Sequence, residues 1–354
     1  MKTASGIVRY LLIALARISV LLFFIWSAGA IYYLRYLPWV LRAALTICYV
    51  AGCLAIVYRG WRHRDSASAP SGLHLNRAVG IVAATIPVVY LLTLGIQATN
   101  DRQWAKDQSE LVEMQLENDV VTIDNFRNAQ YQSESVFDVF YETRSFKLSE
   151  VTEVWFIVQR FTAVEGLAHT FISFGIQPED GSGKKYFSVS VEIRREEEET
   201  YSPWRGLFRN YELNYVVGDE RDMIGVRTVH RPGDRVFLYK TNSTPEQAQQ
   251  MLCNIIERTT ELREQPEFYN TFLNNCTNSI VFHSHGVTPE PVNWMDPRVV
   301  FPGYSDRLAY EMELIGNRHE ETLEALSERS RIDQRAREIG IVDDFSRLIR
   351  ESAN

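Results

Sequence analysis

The chain is 354 residues long, room for about two domains, and carries 37 Lys and Arg against 45 Asp and Glu, net −8. The charge is split: residues 1–98 hold nine basic residues and one acid, Asp65, for +8, so residues 99–354 carry −16. A basic apolar part joined to an acidic polar part implies a membrane anchor with a soluble domain, and excludes nucleic acid as the soluble part's partner.

Three apolar runs, 18–34, 37–58 and 79–97, approach the roughly 20 residues that a spanning helix needs. A signal peptide is the competing reading of the first run, disfavoured because no small-residue cleavage site follows it cleanly and two more spans come after. Lys2 and Arg9 flank the N-terminus, and Arg59, Arg62, Arg64 and Arg77 crowd the second loop. The positive-inside rule puts both in the cytoplasm and everything after Gln97 on the outer side. Tyr32, Tyr33, Tyr36 and Trp39 form the expected outer aromatic belt. Residues 66–72 read as a linker. The organisation expected is an anchor at 1–98, a polar stalk at 99–118, an enzyme-like domain at 119–300 and a helical extension at 301–354.

The soluble part opens with strand-like segments at 120–126, 140–147 and 154–158. In the next, Gly166-Leu-Ala-His-Thr-Phe-Ile-Ser-Phe174, Phe171 and Ser173 point one way, Thr170, Ile172 and Phe174 the other. His169 stands at the start of that strand. A turn at Pro178-Glu-Asp-Gly-Ser-Gly183 leads to the alternating return strand 186–194. The hairpin puts Glu192 near His169, with Ser190 and Arg194 on the same polar face. Strands follow at 213–217 and 235–240, with a charged turn at 219–222 between them. Thr244-Pro-Glu-Gln247 opens a helix running to about Glu264, with Cys253 expected in its core face.

The stretch 268–283 carries the chemistry. Asn274 and Asn275 precede Cys276, and Ile280, Val281 and Phe282 follow at helical spacing. Asn is a favoured N-cap, so Cys276 falls in the first turn of a helix, where unpaired N–H groups and the helix dipole favour thiolate. A cysteine so placed, with a histidine base and an orienting group, is a candidate acyl-accepting nucleophile. Cys276 is the candidate nucleophile, His169 the candidate base, and Glu192, or alternatively Ser190, the orienting residue. His283 and His285 lack a third ligand at metal spacing, and no cofactor motif is present. The tail at 307–349 reads as two amphipathic helices broken near Asn317 and Gly340.

The order, His before Cys, resembles the permuted branch of the papain-like fold, which includes the lecithin:retinol acyltransferase type with its Asn-Cys motif. The segments 166–174, Ser190-Val-Glu-Ile-Arg194, Tyr211-Glu-Leu-Asn-Tyr215 and Phe268-Tyr-Asn-Thr-Phe-Leu-Asn-Asn-Cys-Thr277 together resemble the bacterial Lnb-type N-terminal periplasmic domain family. After the three N-terminal transmembrane helices read from the apolar runs, the resemblance implies an α+β fold, a permuted papain-like periplasmic domain with an antiparallel sheet and a Cys-bearing helix. It implies a thiol acyltransferase at the inner membrane, with Cys276 and His169 as the catalytic pair, a phospholipid acyl donor and a lipoprotein acceptor. A thiol hydrolase of the cell envelope (amidase, peptidase or lipid esterase) uses the same residues. A non-catalytic envelope binding domain is the alternative from another class.

Overall fold

The computed structural model describes residues 2–62, 73–162, 164 and 166–351. The expected linker at 66–72 lies outside them. The described residues fall into two compact units: residues 1–98 with 202–210, and residues 99–201 with 211–354.

The first unit is helical: α1 (Lys2–Tyr32), α2 (Trp39–Arg62) and α3 (Leu73–Leu94). Among the described residues, three stretches are long and apolar enough to cross a membrane: Tyr10–Tyr32, Trp39–Arg62 and Leu75–Leu94. Segment 202–210, far along the sequence, packs with these helices. The Phe208 ring stacks on Tyr33 with centroids 5.1 Å apart, and a Cβ at Gly29 would run into that ring. Asn210 Nδ2 donates to the Tyr33 carbonyl at 3.2 Å. Arg209 donates to the carbonyls of Thr93, in the last turn of α3, at 3.4 Å and of Ile96 just beyond it at 3.3 Å.

The second unit is built on one mixed sheet. Its described strands are β1 (Glu113–Glu117), β2 (Val120–Tyr131), β3 (Phe137–Lys147), β4 (Val151–Arg160), β5 (Ala168–Ile176), β6 (Lys185–Arg194), β7 (Glu212–Gly218) and β8 (Arg235–Lys240). They lie in the order β1-β2-β7-β6-β5-β4-β8, with β3 also paired to β2. Neighbours are antiparallel except β2 and β7, which meet in parallel at Arg127 and Gly218. A Cβ on Gly218 would press into the Arg127 carbonyl, so glycine is what lets the two backbones close there.

The connecting helices are α4 (Glu220–Met223), α5 (Gly225–Thr228), α6 (Pro245–Glu264), α7 (Cys276–Ser284), α8 (Pro297–Val300), α9 (Ser305–Glu311), α10 (Leu323–Ser330), α11 (Asp333–Ile339) and α12 (Phe345–Leu348). The α6 start is the expected capping box, Thr244 and Gln247 each satisfying the other's backbone N–H. Three expectations need correction. The 99–118 stretch is no bare stalk, because β1 pairs with β2. The charged turn at 219–222 closes into α4, since the Asp219 side chain accepts from the Arg221 N–H at 2.9 Å. The tail forms four short helices from α9 to α12 rather than two, and it buries Ile332, Phe345 and Ile349.

Both faces of the sheet are covered, but differently. Ile172 and Phe174 of β5, Val189 and Val191 of β6, and Tyr215 of β7 join one core with Leu252 and Ile255 of α6 and with Cys276. The alternate residues, Trp155, Ile157, Phe171 and Val216, join a second core with Met223, Ile224, Ile332 and Phe345. A side-chain period of two assigns successive residues to opposite cores. All of β7 is buried, as a central strand covered on both sides must be.

Candidate active site

Cys276 is placed by a chain of asparagines. The Asn270 Oδ1 accepts from the N–H groups of Phe272 and Leu273, both at 3.0 Å, closing the turn before the helix. Asn275 caps α7, its Oδ1 accepting from the Asn278 N–H at 3.0 Å while its Nδ2 donates to the Thr271 carbonyl at 2.8 Å. Asn side chains hydrogen-bond their own turns well, so four of them in nine residues hold one geometry. Cys276 therefore opens α7 as expected. It is free, 5% exposed, and its Sγ lies 3.9 Å from Thr277 Oγ1. Thr277 in turn shares a 2.8 Å hydrogen bond with Thr170 of β5, which pins the helix start to the sheet. Tyr201 and Tyr269 sit within electrostatic reach of the thiol, and burial pushes both phenols up.

The face that carries Cys276 also holds an apolar cavity of about 180 Å³, lined among others by Phe156, Ile172, Met251, Thr277, Ile280 and Leu308. Thr277 belongs to both the cavity wall and the contact with the thiol.

His169, Ser190 and Glu192 do come together, with a fourth member. His169 Nε2 and Ser190 Oγ are 2.7 Å apart, and Ser190 donates to Glu192 at 3.0 Å. Because the Ser190 proton is given to Glu192, the His169 proton sits on Nε2 and donates to Ser190. Glu192 Oε1 is 3.9 Å from His169 Nε2, so the hairpin's direct partner for the ring is Ser190 and the carboxylate stands one link behind. The fourth member is Arg227 of α5, 2.5 Å from Glu192 and anchored to the Met223 carbonyl at 2.6 Å. Burial and the Arg227 charge press the His169 imidazole down to about 3, so it is neutral. Burial works to raise Glu192, but the Arg227 charge, then that of Arg127, outweighs it and holds the carboxyl well below its usual range. Arg194 faces the same side but bonds elsewhere, to the Gln108 carbonyl at 3.0 Å.

The structure does not bring His169 to Cys276, and the expected catalytic pair is corrected on this point. Helix α7 packs on the β5 face of Thr170 and Ile172, whereas His169 shares the opposite face with Phe171, on which its ring stacks at 5.5 Å. The sheet stands between the imidazole and the thiol. His283 is on the Cys276 side, but its Nε2 is engaged by the Tyr215 hydroxyl at 2.7 Å, two turns along α7. Cys253 is half-buried in α6 rather than a core residue, and burial pushes its thiol up. Among the described residues no group of three or more His, Cys, Asp or Glu could hold a metal ion. Sequence reasoning missed Arg227. It lies 35 residues beyond its Glu192 partner, and no local spacing signals a long-range ion pair.

Residues 138–303 match the family model of the Lnb N-terminal periplasmic domain. This stretch is similar to the Lnb N-terminal periplasmic domain family. No curated protein and no solved structure matches the chain. The matched Lnb domain runs from within β3 to just past α8 and contains Cys276, His169, Ser190 and Glu192. Together with the three apolar helices, the match supports a membrane-anchored chain with a periplasmic α+β domain at the inner membrane.

Proposed function

We propose that the Lnb domain is a thiol acyltransferase that carries its acyl group on Cys276, in a permuted papain-like arrangement, with the N-terminus of the chain in the cytoplasm. The observation that carries the reading is the position of Cys276: a free thiol at a capped helix start, one residue from Thr277, which lines an apolar cavity fit for a hydrocarbon chain. The sulfur attacks the carbonyl carbon of a lipid ester; a C–S bond forms, the C–O bond breaks, and the thiol proton leaves with the alkoxide. An amine, such as a lipoprotein N-terminus, then attacks the thioester; a C–N bond forms, the C–S bond breaks, and an amine proton returns to sulfur. The backbone N–H of Cys276 supplies part of the oxyanion hole. His169 has no part in these steps, because it faces the other core; with Ser190, Glu192 and Arg227 it holds β5, β6 and α5 together.

A second reading, a non-catalytic domain that binds acyl chains without reacting, is favoured by the same separation of His169 from the thiol and by the burial of Cys276. Intact-mass analysis of the full-length protein incubated with bacterial phospholipid separates the two. An acyl adduct on the protein, lost in Cys276→Ala and discharged by a peptide amine, supports transfer. Lipid retained without an adduct supports binding alone. For the orientation, a reporter active only in the periplasm should work when fused after Gln97 and fail at residues 66–72.

A further inference from the structure

Beside α7, adjoining the apolar cavity, lies an open groove of about 710 Å³, with Leu273, Phe282 and Trp294 on its walls. These three large side chains are 67%, 63% and 54% exposed, and their sequence neighbours Phe272 and Met295 are 45% and 66% exposed. Scattered exposed hydrophobics are ordinary; several large ones around one groove mark a binding surface. We propose that this rim is a docking surface for a phospholipid bilayer, through which the periplasmic domain takes hold of the membrane interface.

Three observations select lipid over other occupants. The chain is joined to the membrane-crossing unit at residues 98 and 99 and at both ends of 202–210, so chain continuity keeps a bilayer within reach at high effective concentration. The residue types are those that settle at the interface, one Trp with Phe and Leu, with Arg258 on the groove wall. Glu257, Arg258 and Glu261 line the polar side of the groove, Arg258 paired to Glu261, within a soluble part of net −16, which disfavours anionic partners and leaves an apolar attachment to a zwitterionic surface. Docking there would also serve the acyl cavity. Val281 and Val292 line both groove and cavity, so only their side chains and α7 divide the lipid-facing rim from the apolar interior. This inference rests on the membrane association of the chain and not on the chemistry of Cys276.

The test uses the full-length protein in vesicles of phosphatidylethanolamine and phosphatidylcholine. A photoreactive benzoylphenylalanine is placed at 273, 282 or 294, with position 324, exposed on α10, as control. The expected result is lipid adducts at the three rim positions and none above background at 324. Leu273→Glu with Phe282→Glu should abolish the adduct from position 294 while leaving the melting temperature unchanged, since both side chains are exposed. Adducts to a second copy of the chain, no lipid adduct, or equal labelling at 324 would each overturn the proposal. An acyl adduct on Cys276, scored separately, reports on the reaction whichever way the rim behaves.

Discussion

The two faces of the periplasmic sheet solve the same covering problem with opposite materials. On the Cys276 face, the 20-residue α6 and the shorter α7 lay aliphatic side chains over the strands, and their imperfect fit leaves the apolar cavity. The His169 face is covered by short helices that bury few apolar groups each, and charges tie them down. Arg127 pairs with Asp222 at 2.8 Å, Arg227 with Glu192 at 2.5 Å, and Arg350 with Glu220 at 2.5 Å, all largely buried. The lesson is that a face full of titratable residues need not be the reactive one. Buried ion pairs perturb pKa values for structural reasons as readily as active sites do. A thiol and a cavity on the plainer face make the better candidate site.

The comparison breaks most readily at Arg227. Arg227→Ala leaves the Glu192 carboxylate buried without its cation and should cost about 3–5 kcal/mol of stability, read by denaturant unfolding. Glu192→Gln keeps a hydrogen-bonding partner for both Ser190 and Arg227 and should cost clearly less. Equal, small losses in the two variants would mean that the ionic face is not stapled by this pair.

Acid probes both faces at once, since each holds one histidine that burial presses down to about 3, His169 and His283. Their folded pKa values lie below the unfolded value near 6.5, so the unfolded chain binds more protons between those limits. Stability then falls as pH drops below about 6.5, by up to about 1.4 kcal/mol per pH unit for each histidine. Below about 4.5 Glu192, held low in the folded state, adds to the loss with the same sign. Melting temperatures from pH 7 to 4.5 should show the decline. His169→Gln and His283→Gln should each flatten it, and a flat wild-type profile would contradict the burial of both rings.

Filling the cavity sharpens the contrast. Ala309 lines it, so Ala309→Leu should hold or raise stability by about 0.5–2 kcal/mol, as cavity filling commonly does. The same change should lower acyl loading of Cys276 in the mass assay. Loading that survives with a long acyl chain would place the chain elsewhere. The smallest effects belong to the cysteines as packing groups. Cys276→Ser should cost about 1–2 kcal/mol for a buried hydroxyl and abolish the adduct. Cys253→Ser, half-buried, should cost less and leave the adduct intact.

Much of this protein was legible from local rules. Apolar runs located the membrane helices, period-two alternation located the central strands, and Thr244 and Asn275 announced the starts of α6 and α7, because caps and periodicity act within a few residues. The same alternation divided Thr170, Ile172 and Phe174 from His169, Phe171 and Ser173. It could not say which set would meet α7. That choice depends on how a helix a hundred residues away packs, as does the arrival of Arg227 beside Glu192 and of the tail beneath the second core. Local sequence determined what each element is and which residues share a face. Only the packing of distant elements decided which faces meet, and with that, that the histidine and the thiol stand on opposite sides of the sheet.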